Sequence, residues 1–111
     1  MKWNDDKFML KAMPLFFANP TEVPFICPCC KSKAGHIYMD IQNLQTRRGG
    51  LWLWCDACMQ FDHSSVFVPS WWCNLDVIDR QELCAIPTYL SNMSNAIDIH
   101  VNKLIRKQRD R

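Results

Sequence analysis

Two cysteine pairs carry the chemistry open to this sequence. Cys27 and Cys30 flank Pro28-Cys29, Cys55 and Cys58 flank Asp56-Ala57, and 24 residues separate the pairs. A two-residue spacing lets both thiolates of a pair reach one ion from a single turn. Two such turns supply the four ligands of a tetrahedral zinc at about 2.3 Å each. Cys27, Cys30, Cys55 and Cys58 are therefore expected to hold one structural Zn2+, and four thiolates leave no coordination position for a substrate or an activated water. Zinc is expected over iron, whose four-thiolate centres are less common. Cys29 is the alternative to Cys30, at a poorer spacing. Cys73 and Cys84 stand alone and are expected to pack as small apolar residues. His36 and His63 fall on expected strands, away from the paired turns.

Other chemistries lack their residues. There is no HxE to accompany a PCxxC, no HExxH, no phosphate-binding loop and no GxSxG. Asp62-His63-Ser64-Ser65 contains the residue types of a hydrolytic triad, but neighbours along a strand point to opposite faces. A redox CxxC belongs in βαβ surroundings, which this pattern does not offer. The expectation is a protein without enzymatic activity.

The cysteine turns need strands to bring them together. Residues 36–44 alternate as a strand does, Arg47-Arg48-Gly49-Gly50 reads as a turn, and Leu51-Trp52-Leu53-Trp54-Cys55 is a second strand running into the second pair. A third strand over 59–68 is stopped by Pro69. The fold class is α+β: a three-stranded antiparallel ribbon over 25–68, clamped by metal at one end. Upstream, 5–19 reads as an amphipathic helix with Asn4 or Asp5 as cap and Pro14 splitting it. Downstream, an aromatic connector at 70–74 leads to C-terminal helices over 76–107. These are a short one from Asp76 to Ala85 and a longer one from Thr88 to about Lys107. The longer helix has an apolar stripe of Leu90, Met93, Ala96, Ile97, Val101, Leu104 and Ile105.

Length and composition fit one domain spanning 1–111. At 111 residues the chain can bury a modest core, and 49% hydrophobic content is too high for disorder. Seven cysteines, an odd number, with no apolar leader and no stretch long enough to span a bilayer, point to a reduced cytoplasmic setting and no membrane partner. Formal charge is +2, but residues 103–111 carry +4, so the rest carries −2. Four thiolates around one dication make the body more acidic still.

On Cys27-Pro28-Cys29-Cys30, the Gly49-Gly50 hairpin and Trp54-Cys55-Asp56-Ala57-Cys58, the chain resembles a zinc ribbon over residues 25–68. Glycine often follows the second and fourth ligands in that family; here Lys31 and Met59 stand there. The resemblance implies a structural metal and a ribbon fold. Zinc ribbons serve nucleic-acid and protein-docking roles alike, so the fold does not decide function.

Two functions are carried forward. In the first, the chain is a protein-binding module whose acidic body suits a basic partner, with Trp52, Trp54, Trp71 and Trp72 as candidate contact residues. In size, charge and lack of catalytic motifs it loosely resembles the immunity proteins of bacterial toxin systems. Such proteins neutralise a toxin by binding it. In the second, the ribbon binds DNA or RNA, with Arg47, Arg48, Arg106, Lys107, Arg109 and Arg111 on phosphates and tryptophans stacking on bases. On a strand Trp52 and Trp54 share one face while Leu51, Leu53 and Cys55 share the other, so both faces are expected to be covered by the helices.

Overall fold

Alternation along the central strands lays out the sheet. The computed structural model describes Trp3, Asn4, Met13, Pro14, Phe16 and residues 22–109. Strands β1 (Phe25–Ile26), β2 (Lys33–Asn43), β3 (Arg48–Cys55) and β4 (Gln60–Phe67) are followed by a 3-10 turn at Arg80–Glu82 and helices α1 (Thr88–Asn92) and α2 (Ser94–Arg109). The strands form one sheet in the order β1-β2-β3-β4, every pair antiparallel. The class is α+β as expected, but the sheet has four strands rather than three. The extra one is Phe25–Ile26, where Phe25 pairs with Gly35 just ahead of the first cysteine turn.

Tyr38, Trp52 and His63 lie in one cross-strand row, and Ile37, Leu53 and Asp62 in the next. The period of two then puts His36, Tyr38, Asp40, Trp52 and Trp54 on one face, and Ile37, Met39, Ile41, Leu51 and Leu53 on the other. Both faces of β2 and β3 are buried, as the doubly apolar pattern requires. Each fully buried large side chain contributes about 2 kcal/mol, so these two strands hold much of the core. Trp72 covers the first face: its ring lies 5.8 Å from Tyr38 and its Nε1 donates to the Met39 carbonyl at 2.8 Å. On the second face Phe25 lies against Gly35 and packs on Phe16, centroids 5.9 Å apart.

β1 is too short to pair with all of β2, and an asparagine completes the edge. The Asn74 side chain accepts from the Ile41 N–H at 2.7 Å and donates to its carbonyl at 3.1 Å. Asn102 on α2 holds both backbone groups of Val23 in the same way. Each amide supplies the donor and the acceptor that a missing strand would have offered.

The Gly49-Gly50 turn is corrected. Both glycines lie inside β3, opposite Ile41 and Asp40, and neither has positive φ. They are there for space. A Cβ on Gly49 would collide with the Asp40 carbonyl, and one on Gly50 would come within 2.8 Å of the Trp52 ring. The hairpin bends earlier, with the left-handed position taken by Arg47 at φ 64°.

The helices also differ from expectation. The expected N-terminal helix over 5–19 lies largely outside the described residues. The segment from Asp76 to Ala85 is mostly turns around the Arg80–Glu82 3-10 piece, which buries no residue. Of its expected apolar positions Ile78 is buried, Leu83 half-buried and Val77 exposed, so the segment has no continuous stripe to hold a helix this short. Thr88 to Lys107 is two helices broken at Met93, where Ser94 Oγ donates to the Ser91 carbonyl at 2.7 Å. The Ser-Asn-Met-Ser-Asn run offers the backbone competing partners there. The apolar stripe survives the break: Leu90, Ile97, Val101, Leu104 and Ile105 are all buried.

Candidate metal centre

Each cysteine pair sits on a turn built the same way. In the first, the Lys31 N–H donates to the Cys27 carbonyl at 2.9 Å; in the second, the Met59 N–H donates to the Cys55 carbonyl at 3.0 Å. Lys31 and Met59, the residues after the second and fourth cysteines, both adopt left-handed φ, 65° and 58°. These are the positions that glycine often holds in zinc ribbons, so side-chain-bearing residues here take the glycine conformation at a cost of about 1 kcal/mol each. The register Gly35 opposite Cys55 then sets the two turns side by side.

The four sulfurs meet. The Sγ atoms of Cys27, Cys30, Cys55 and Cys58 all lie within 4.8 Å of one another. Cys27 and Cys58 are 3.7 Å apart, as are Cys30 and Cys55. A tetrahedron with bonds of about 2.3 Å has edges of about 3.8 Å, so the cage fits zinc. Backbone N–H groups point at the sulfurs, among them Cys29 on Cys27 at 3.3 Å. Burial pushes the Cys55 thiol up to about 11 and drives Cys58 higher still, while the Ser32 backbone N–H brings Cys30 down to about 6. Thiols held this close and this deep do not all ionise without a cation, so metal uptake at neutral pH releases protons. Cys29 is exposed and lies outside the cage, so Cys30 is the fourth member. Cys73 and Cys84, expected to pack, are exposed instead.

Neither histidine joins the cage, but His36 ties it to the helices. Its Nε2 lies 2.6 Å from Asp56 Oδ2, inside the second cysteine turn, and its Nδ1 lies 2.8 Å from Asp98 Oδ1 on α2. Ser91 of α1 donates to the other Asp56 oxygen at 2.7 Å. Burial lowers the His36 pKa, but the hydrogen bond and charge of Asp98, joined by those of Asp56, outweigh it and leave the ring above its ordinary value. With a carboxylate at each nitrogen the ring is an imidazolium donating from both. The sequence places His36 on an expected strand and gives it no such bridging role. Its position on an inward-facing strand row beside an aspartate-bearing turn was the available signal.

Trp52, Trp54 and Trp72 are 3%, 0% and 1% exposed, and Trp71 is half-buried. Trp52 donates to the Cys84 carbonyl at 2.8 Å. These rings fill the interior and present little surface. Arg47 is turned onto the protein itself, donating to the carbonyls of Val68, Pro69 and Trp72. Arg48 lies over the Phe67 ring, 5.1 Å from its centroid. Arg106 and Lys107 are exposed on α2; the Arg109 side chain and Arg111 lie outside the described residues.

Comparison with protein-family models, curated proteins and solved structures found no match to this chain. The cysteine geometry alone therefore carries the reading of a zinc-binding β-module. No helix among the described residues is long and apolar enough to cross a membrane.

Proposed function

We propose that this chain is a non-enzymatic protein-binding module, stabilised by structural zinc, that docks on a basic protein. The observation that carries the reading is the exposed connector between the sheet and α1. It presents Asp76, Asp79 and Glu82 to solvent together with Val77 and Ile86, which are 61% and 50% exposed. Acids interleaved with exposed apolar side chains suit a cationic partner that also buries apolar surface. The closed four-thiolate cage supports an architectural role for the metal, since no ligand position is left for chemistry. A bacterial immunity protein that neutralises a basic toxin is the form of this reading that size and charge favour.

Phosphate binding draws less support. The Arg47 guanidinium is spent on three backbone carbonyls, which leaves it poorly placed to meet a phosphate. The test titrates the zinc-loaded protein against duplex DNA and against any basic protein captured from the native cell and then purified, at about 50 and about 200 mM salt. The reading expects a captured protein whose affinity changes by less than about tenfold, and no DNA complex at the higher salt. A DNA complex that weakens a thousandfold or so over that range, with no protein partner, would overturn it.

A further inference from the structure

A cleft of about 430 Å3 opens on the Trp52 face of the sheet, lined by Asp40, Gln42, Trp52, His63, Arg80 and Cys84 among others. It is remote from the four-cysteine cage: Asp40 lies five residues along β2 from Gly35, the partner of Cys55, roughly 16 Å at the strand rise. Its size falls in the range of built binding sites.

At its base is a carboxylate that the chain satisfies only in part. Asp40 is 2% exposed, yet its Oδ1 has no hydrogen-bond partner among the described residues. Its Oδ2 accepts from Arg80 Nε at 3.2 Å and Nη2 at 3.1 Å, and Nη2 also donates to the Ile41 carbonyl at 3.3 Å. Crowding two guanidinium nitrogens on one oxygen forgoes the two-on-two fork that makes this pair strong, and a buried acceptor without a donor costs free energy. Arg80 is held from one side only. Its side chain is 56% exposed, and it belongs to the 3-10 turn that buries nothing.

The surroundings select the sign of a visitor. Asp76, Asp79 and Glu82 are exposed on the same connector as Arg80. His63, exposed at its edge and stacked on Trp52 at 4.5 Å, has its pKa lowered from the ordinary value by partial desolvation, which disfavours a positive charge of its own beside the cleft. Among the described residues only the cysteine cage gathers three or more metal-ligating side chains, so the cleft offers a metal no such cluster.

We infer that this cleft receives an arginine guanidinium from the basic partner, and that Arg80 is the chain's own stand-in for it. The incoming group takes the fork on Asp40 while Arg80 swings out to solvent. The inference rests on the protein-binding reading, and it names where one anchor residue of that partner lands.

The test needs no partner. N-acetyl-arginine-N-methylamide is titrated into the zinc-loaded protein to about 50 mM and followed by amide and indole NMR. Saturable shifts are expected at the Trp52 indole N–H and at the Asp40, Gln42 and Cys84 amides, with none from the uncharged citrulline analogue. Arg80→Gln removes the internal competitor and is expected to bind about fivefold more tightly. Should that variant fold poorly, Arg80→Lys, which gives up the paired guanidinium contacts but keeps the charge, is expected to show a smaller gain. Asp40→Asn is expected to abolish the response. No saturable shift in the unaltered protein, an equal response to citrulline, or no gain on weakening Arg80 overturns the inference. The two readings fail separately. A purified basic partner that binds Asp40→Asn as well as the unaltered protein removes the cleft and leaves the partner. Arginine binding in a protein that captures only DNA removes the partner and leaves the cleft.

Discussion

His36 Nε2 and Asp56 Oδ2 are 2.6 Å apart, joining the middle of the sheet to the turn that presents Cys55 and Cys58. Asp98 grips the opposite nitrogen, so one buried ring spans strand, cysteine turn and C-terminal helix. Its charge is part of the fold, and stability is expected to depend on pH through it. The folded pKa is raised above the ordinary 6.5. A raised histidine contributes fully below its unfolded pKa, and the contribution is lost as pH rises through the folded value. His36→Gln is therefore expected to cost about 2 kcal/mol near pH 6, and progressively less toward pH 9. Urea unfolding of both proteins, saturated with zinc at each pH, measures the difference. A gap that widens with pH would show that His36 is neutral when folded.

The sulfur cage makes a sharper demand on neighbouring cysteines. Cys30→Ser is expected to lose the stoichiometric metal and most of the folding free energy, since such sites supply on the order of 10 kcal/mol in small domains. Cys29→Ser, one residue away and exposed, is expected to keep both. Cys84→Ser is likewise expected to keep its metal and to lie within about 0.5 kcal/mol of the parent. Metal content by elemental analysis, alongside thermal melts, separates these cases. Retention of a full zinc equivalent by Cys30→Ser would assign the fourth ligand to Cys29.

These cysteines were legible because ligand chemistry constrains spacing, and spacing is visible in a chain. The three long strands were legible for a similar reason: both faces of β2 and β3 repeat at a period of two. What could not be read depends on partners distant in sequence. Gly49-Gly50 looks like a turn until Trp52 and the Asp40 backbone are seen to need the space. Arg47 looks like a phosphate contact until the carbonyls of Val68, Pro69 and Trp72 close on it. Nothing near Asp40 in the sequence marks it as buried; its partner, Arg80, stands forty residues later. The break at Met93 was within reach, since serine and asparagine stand on both sides of it.

The two glycines of β3 are expected to respond unequally to a methyl group. Gly49→Ala drives a Cβ into the Asp40 carbonyl, a backbone atom held by the β2–β3 ladder, and is expected to cost at least about 3 kcal/mol. Gly50→Ala meets only the edge of the Trp52 ring, which can tilt, and is expected to cost about 1–2 kcal/mol. Chemical denaturation of the zinc-loaded variants gives both values. Equal costs would mean that the Trp52 ring, stacked under His63 and bonded to Cys84, yields no more readily than the backbone.

Lys31 and Arg47 share a left-handed backbone, φ 65° and 64°, and differ in what their side chains do. Glycine relieves the strain at either place, because only its missing Cβ makes that region comfortable. At Lys31 little opposes the gain: the side chain is exposed and reaches only the Pro28 carbonyl, at 3.0 Å. Lys31→Gly is expected to stabilise by about 0.5–1 kcal/mol after the added freedom of the unfolded chain is counted. At Arg47 the same relief is outweighed. Removing the guanidinium strips donors from three backbone carbonyls where β4 runs into the Trp72 connector, at a cost of about 2–3 kcal/mol. Arg47→Gly is therefore expected to destabilise, giving the opposite sign at the same backbone angle. If instead both variants gain stability, the Arg47 hydrogen bonds do not hold the hairpin to the connector, and its guanidinium is available to a partner.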